Sequence, residues 1–344
     1  MEKTTAFIPI AFPNPFLLAD GFTVLAADVG GTKTDMALFT AQENRLVLVK
    51  EKKYATKKWA GLSGMIRDFD PQPHPNRMCF AIAGPISDGR SKMTNVDWQV
   101  DARDLTKDFG VEQVFLLNDL EASAYGLAAI DTSDVLVIHP GKENARGNAA
   151  IISPGTGLGE AGLFFDGKAY KPFATEGGHT SFGPSDEQGI RLYQHLQKQY
   201  GHVSWERLVS GMGIVNIYEF LRDVDGWEVP DWLTEALRTA TDAAAVISQG
   251  SAKDCAISQE TLRIFVDCLG REAANLAVQF NATGGILIGG GITPKIWKKE
   301  YEKVFLDAFF EVGRLKLMVQ EIPVYLILHP KTALWGAGYY GAYG

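Results

Sequence analysis

Asp28 closes an apolar stretch and is followed by Gly30, Gly31, Thr32 and Lys33. A glycine turn lets backbone N–H groups approach a phosphate, Thr32 and Lys33 add donors, and Asp28 is placed to hold magnesium through water. Read alone, the same residues also describe a glycine-rich hairpin turn with an exposed acid. The Walker spacing G-x-x-x-x-G-K-[ST] is absent. A second turn, Gly155, Thr156, Gly157, Leu158 and Gly159, is followed by alternating apolar residues that predict a strand, whereas a dinucleotide fingerprint has to open a helix. Two phosphate-type hairpins facing one another across a cleft would grip the β and γ phosphates of a nucleotide.

The segment LLNDLEASAYG places Asn118 and Asp119 after a buried strand and at the start of a helix. Active-site groups of open α/β sheets occupy such positions. Asp119 there is either a helix cap or the carboxylate that accepts a hydroxyl proton during phosphoryl transfer. TEGGHTSF supplies Glu176 and His179 around two glycines, and GHVSWERLVSG supplies Glu206 in a segment with helical spacing. Carboxylates and an imidazole can bond adjacent sugar hydroxyls. Taken singly, Glu206 reads as a solvated helix charge.

The elements that must position these groups alternate between strand and helix. FTVLAADVGGTKTDMALF reads as strand, turn and strand, and NAAIISPGTGLGEAGLFF repeats that plan, which suggests two related domains. MCFAIAGPI, VEQVFLLND, GGILIGGGI and PVYLILH read as buried strands. WQVDARDLTKDFG, PKIWKKEYEKVFLDAFFEVG and the closing ALWGAGYYGAY have helical spacing. The class expected is therefore α/β.

A chain of 344 residues has room for two domains. Its net charge of -8 argues against a nucleic-acid groove or a polybasic membrane contact and for a small-molecule partner. No apolar run reaches the roughly 18 residues that cross a bilayer. Pro9, Pro13 and Pro15 break the apolar segment at the start, which reads as an extended surface arm. Cys79, Cys255 and Cys268 form no C-x-x-C pair, so they read as buried thiols in a reducing cytoplasm.

Together DVGGTKT, MTNVDW, LLNDLEASAYG, PGTGLGEAGL, TEGGHTSF, GHVSWERLVSG and GGGITPK resemble the bacterial glucokinase family of the hexokinase and actin-like ATPase superfamily, in the right order from about residue 24 to 338. The resemblance implies a two-domain, ribonuclease H-like fold with an inter-domain cleft. Its expected parts are an arm over 1–20, a small α/β domain of 21–125 plus 330–344, and a large one of 126–329. It implies ATP and Mg2+, with Asp28 near the metal, Gly30 to Thr32 and Gly155 to Gly157 at the phosphates, and Gly289, Gly290 and Gly291 against adenosine. Asn95, Asn118, Asp119, Glu176, His179 and Glu206 match sugar-contacting positions, with Asp119 the base that activates the 6-hydroxyl of glucose and Lys33 neutralising charge. A cytoplasmic homodimer acting in glycolysis is implied as well. Thr180 and Ser181 stand where glucokinases often carry other residues, and FGPSDEQGIRLYQ has no Cys, which excludes the zinc site of related kinases. The rival readings are a kinase for another hexose, a non-catalytic sugar sensor, and an actin-like ATPase with a protein partner. Retention of Asp119 disfavours the sensor, and the TEGGH and GHVSWE segments disfavour the actin-like ATPase.

Overall fold

The computed structural model describes residues 7–13, 18–43, 45–93 and 96–344. The chain divides into two compact units, one of Met1–Val135, Leu163–Ala174 and His329–Gly344, the other of Leu136–Gly162 and Thr175–Leu328.

The first unit is built on a five-stranded sheet. Its strands are β1 (Thr23–Val29), β2 (Lys33–Gln42), β3 (Arg45–Ala55), β4 (Arg77–Ile82) and β5 (Gln113–Asn118), in the order β3-β2-β1-β4-β5. β1 pairs antiparallel with β2 and parallel with β4, and β4 pairs parallel with β5. The period of two sends Leu25, Ala27 and Val29 to one face, where they pack with Met65, Ile66 and Phe69 of the helix Leu62–Phe69. The opposite face carries Val24, Ala26, Ala37, Cys79 and Ala81. These small side chains let two helices approach closely, α1 (Asp119–Gly126) and the C-terminal helix Thr332–Tyr343.

Glycines set that approach. A Cβ on Gly336 would lie 1.7 Å from the Ala122 carbonyl oxygen, and one on Gly126 would lie 2.0 Å from that of Thr332. On the sheet side a Cβ on Gly341 would meet Val24 at 2.6 Å. The arm packs here too. Ala11 donates to the Tyr170 carbonyl and Tyr170 to that of Pro9, both at 2.8 Å. The Phe12 ring lies 5.4 Å from the rings of Tyr125 on α1 and Tyr343 on the C-terminal helix.

The second unit repeats part of this plan. β6 (Ala149–Pro154), β7 (Leu158–Phe165), β8 (Gly285–Ile288) and β9 (Val324–Ile327) lie in the order β7-β6-β8-β9, matching β2-β1-β4-β5. β8 is parallel to both β6 and β9. The core is dominated by α2 (Ala256–Gln279), whose Phe265, Leu269 and Ala273 are fully buried. Two helical expectations are corrected. Gln99–Asp101 is a strand, and the helix starts at Ala102, where the Asp101 side chain accepts from the Arg103 amide. The helix expected across Pro294 to Gly313 breaks into Thr293–Ile296 and Lys299–Phe309, with Trp297 extended between them and its ring packed against Phe305.

Alanine in place of glycine ordinarily stabilises a helix interior by about 1 kcal/mol. Gly336→Ala should instead destabilise the protein by about 1–3 kcal/mol through overpacking against α1. Gly61→Ala, whose Cβ meets nothing within 4 Å, is the control and should change stability by less than about 0.5 kcal/mol. Urea unfolding of both variants measures this; equal midpoints would mean that α1 yields at no cost.

Candidate active site

The three parallel strands of the first unit end in register, with Val29 beside Ile82 and Ile82 beside Asn118. Residues just before and after these ends therefore meet at one edge. Asn118, not Asp119, caps α1: its Oδ1 accepts the amides of Leu120 at 2.9 Å and Glu121 at 3.4 Å. Asp119 is the first residue of the helix and is half-buried, with Oδ1 accepting from the Leu120 amide at 3.0 Å. The Asn118 amide reaches the Gly84 carbonyl at 3.5 Å, which ties β5 to the loop after β4.

Asp28 lies across β4 from this pair. Burial, followed by the charges of Asp119 and Asp35, pushes its carboxyl up to about 7, while Lys33 opposes the shift. Asp35 faces Asp28 on β2. One Asp35 oxygen holds Lys33 at 2.6 Å, and the other is buried with no hydrogen-bond partner. The glycine turn is a tight hairpin, with the Gly30 amide donating to the Lys33 carbonyl at 3.0 Å. Thr56 braces it from outside the motif: its hydroxyl donates to the Gly30 carbonyl at 2.8 Å and its amide to that of Thr32 at 3.0 Å. Thr32 and Lys33 are exposed.

In the second unit the turns after β6 and β8 meet, because the pairing of those strands ends with Ile152 beside Ile288. The Gly155 amide donates to Gly157, the Gly155 carbonyl accepts from Gly211, and Ile292 donates to Pro154. The glycines differ in why they are needed. Gly290 has φ +82°, and a Cβ there would lie 2.2 Å from the Pro154 carbonyl oxygen. The fold alone requires it. A Cβ on Gly155 meets nothing closer than 3.9 Å, and one on Gly291 meets nothing within 4 Å. The fold leaves those two positions open.

The Glu176 to His179 segment sits on β7. A Cβ on Gly178 would come 2.2 Å from the Leu158 carbonyl oxygen, so this glycine permits close stacking on the strand. Glu176 and His179 are exposed. Glu206 lies in the 3-10 turn Trp205–Arg207 rather than in an α-helix, and its side chain is 19% exposed. Its Oε2 accepts the Leu158 amide at 3.0 Å and its Oε1 lies 3.7 Å from His179 Nε2. Glu206 thus links the second glycine turn to the TEGGH segment. This separates it from a solvated helix charge. Asn95 lies outside the described residues. Sequence pattern does not single out Thr56 or Asp35: Thr56 lies outside every motif and reaches Gly30 through β3, and Asp35 faces Asp28 only through the pairing of β1 with β2.

The sequence matches the glucokinase family over residues 25–343. The glucokinase of Nostoc punctiforme is 36% identical over 331 residues, which is 91% of this chain and 97% of that protein. The crystal structure of a glucokinase from an Antarctic psychrotroph superposes with a TM-score of 0.77 at 31% identity, covering 92% of this chain and 97% of that one. A ROK family glucokinase from Streptomyces griseus, crystallised with glucose and AMPPNP, shares the fold at 19% identity, with a TM-score of 0.62 over 94% of this chain and 100% of its own. With a family match across nearly its whole length, and with the α/β architecture of the actin-like ATPases, this chain belongs to the glucokinase family.

Proposed function

We propose that the chain transfers the γ-phosphoryl group of ATP to the 6-hydroxyl of glucose, with Asp119 as the base. The observation that carries this reading is that Asp28 and Asp119 come together at the ends of in-register parallel strands, where the charge of Asp119 raises the cost of ionising Asp28. Asp119 takes the hydroxyl proton, the sugar oxygen forms a bond to the γ-phosphorus, and the bond to the β-bridging oxygen breaks to release ADP. Asn118, Glu176, His179 and Glu206 orient the sugar. The Gly30 and Gly155 amides close their own turns, the remaining amides of the Gly30 to Thr32 and Gly155 to Gly157 turns hold phosphate oxygens, and Lys33 adds positive charge.

Magnesium fits the donor set. Among the described residues no group of three or more acidic, His or Cys side chains forms a metal cage. Magnesium commonly uses one or two carboxylates with water and substrate phosphate, and Asp28 beside the orphaned Asp35 oxygen meets that description. When bound, the metal would neutralise phosphate charge. Gly289 to Gly291 would border adenosine, a role compatible with the open space at Gly291. A cytoplasmic homodimer acting in glycolysis belongs to the same reading and rests on the family. No described helix is long and apolar enough to cross a membrane.

Asp119→Asn keeps size and hydrogen bonding but cannot accept the proton. Its kcat should fall by roughly 10²- to 10⁴-fold while glucose affinity, read by calorimetry, changes far less. Activity within a few-fold of wild type in a coupled assay against glucose, mannose and fructose would remove Asp119 from the chemistry.

Gly155→Ala separates ligand contact from folding. The apo protein should keep its melting temperature, since the added Cβ has room, while ATP binds about tenfold or more weakly, a change of about 1.4 kcal/mol. Undiminished ATP affinity would exclude close phosphate approach at Gly155.

Glu206→Ala should lower kcat/KM for glucose by roughly 10- to 100-fold, because it removes a hydrogen-bonding carboxylate and the anchor on Leu158 together. Steady-state kinetics decide: an unchanged value would return Glu206 to a purely structural role.

A further inference from the structure

Beneath the TEGGH segment lies a pair of acids with no part in the reaction described above. Glu160 on β7 and Glu272 on α2 are each only 1% exposed. Neither Glu160 oxygen meets a hydrogen-bond donor. Its neighbour is the Glu272 carboxyl, whose Oε2 accepts from the Asn275 amide at 2.7 Å. Two buried carboxyl groups that face one another strongly resist being ionised together; one proton between them turns a repulsion into a hydrogen bond.

The pair touches the loop directly. A Cβ on Gly177 would lie 1.9 Å from Glu160 Oε2, so the carboxyl is pressed against the backbone between Glu176 and His179. The Thr175 hydroxyl donates to the Glu160 carbonyl at 2.9 Å and accepts from the Gly177 amide at 3.2 Å. Glu160 is also two residues beyond Leu158, whose amide anchors Glu206.

We propose that Glu160 and Glu272 share one proton and together act as positioning residues, seating the Thr175 to His179 segment on β7 while that proton is retained. The sugar-binding consequence rests on the reading of Glu176 and His179 as sugar contacts; the seating does not.

Burial and the facing carboxyl push Glu272 well above the usual carboxylate range, and burial does the same to Glu160. The groups acting on them are each other and the Asn275 amide, and no Lys, Arg or His contributes to either shift. Glu176 and His179, on the segment packed against the pair, are exposed to solvent. The folded chain therefore holds a proton that the unfolded chain releases above the ordinary glutamate value of 4.5. Stability from this source falls as pH rises from that value until the folded pair deprotonates.

Glu160→Gln and Glu272→Gln are permanent mimics of the singly protonated pair, and Glu160→Ala removes it. Three readouts follow. Wild-type melting temperature should decline from pH 6 to 9 more steeply than that of either Gln variant. Amide exchange across Thr175 to His179 at neutral pH should be about tenfold or more faster in Glu160→Ala than in wild type, a loss of about 1.4 kcal/mol of local protection. Glu160→Gln should restore it. The glucose KM of wild type should rise by roughly tenfold from pH 7 to 9, with each tenfold worth about 1.4 kcal/mol, and that of Glu160→Gln should stay level. Parallel melting profiles in all three proteins overturn the shared proton. Unchanged exchange in Glu160→Ala overturns the positioning role. If exchange responds but KM does not, Glu176→Gln tells which reading has failed. An unaltered KM in that variant removes the sugar contact and leaves the seating supported, whereas a raised one overturns the link from seating to sugar binding.

Discussion

Everything in the first unit that bears on the site depends on how little freedom α1 has. Its first turn is held by Asn118, its backbone at Ala122 and Gly126 is in glycine-mediated contact with the C-terminal helix, and its Tyr125 ring is stacked by Phe12 of the arm. The C-terminal helix in turn rests on β1 and β4 through Gly341. A side chain on a helix whose backbone cannot shift is held more closely in place than one on a loop, which is what the proposed role of Asp119 as a base needs. The small residues Ala26, Ala37, Cys79 and Ala81 on the sheet are the sequence-level cause of this tight packing.

The second unit solves its placement problem by a different route. Its sugar-facing candidates sit on irregular backbone, so the rigidity comes from hydrogen bonds and close stacking on β7. Gly177 stacks on Glu160, Gly178 stacks on Leu158, and the Leu158 amide holds Glu206. One strand therefore carries three consecutive kinds of support within three residues, directly after the Gly155 to Gly157 turn. Strain or displacement in that turn would pass through Leu158 and Glu160 to the Thr175 to His179 segment.

Strand ends and turns were readable in the sequence because they depend on local pattern. Apolar runs ending in Asp28, Asn118 and Gly289 predicted the strands, and the glycines after them predicted the turns. The reading stopped where the cause was tertiary. Thr56 carries no motif, and only the pairing of β2 with β3 brings it to Gly30. Glu206 has helical neighbours in sequence, yet packing of Trp205 in the core draws it into a 3-10 turn. The glycines looked alike as letters. Backbone conformation makes Gly290 a requirement of the fold, whereas the fold leaves open space at Gly155 and Gly291 and does not itself require glycine there. The partnership of Glu160 with Glu272 joins a strand to a helix far along the chain, and no spacing rule reaches it.

Both units keep acids in positions that cost stability. In the first, Asp28 is raised to about 7 by burial and by Asp119 and Asp35. The folded chain therefore binds a proton there that the unfolded chain has released, and the associated stability is lost as pH rises from about 3.8, the ordinary value, toward 7. In the second, the Glu160 and Glu272 pair does the same. A fold selected for stability alone would replace such groups with apolar or singly charged neighbours. The two costs differ in kind. Asp28 stands half-buried at the end of its strand and is open to relief from outside, which the proposed magnesium would supply. Glu160 is buried and neither of its oxygens meets a donor among the described residues, so the relief proposed for it is internal, a proton shared with Glu272.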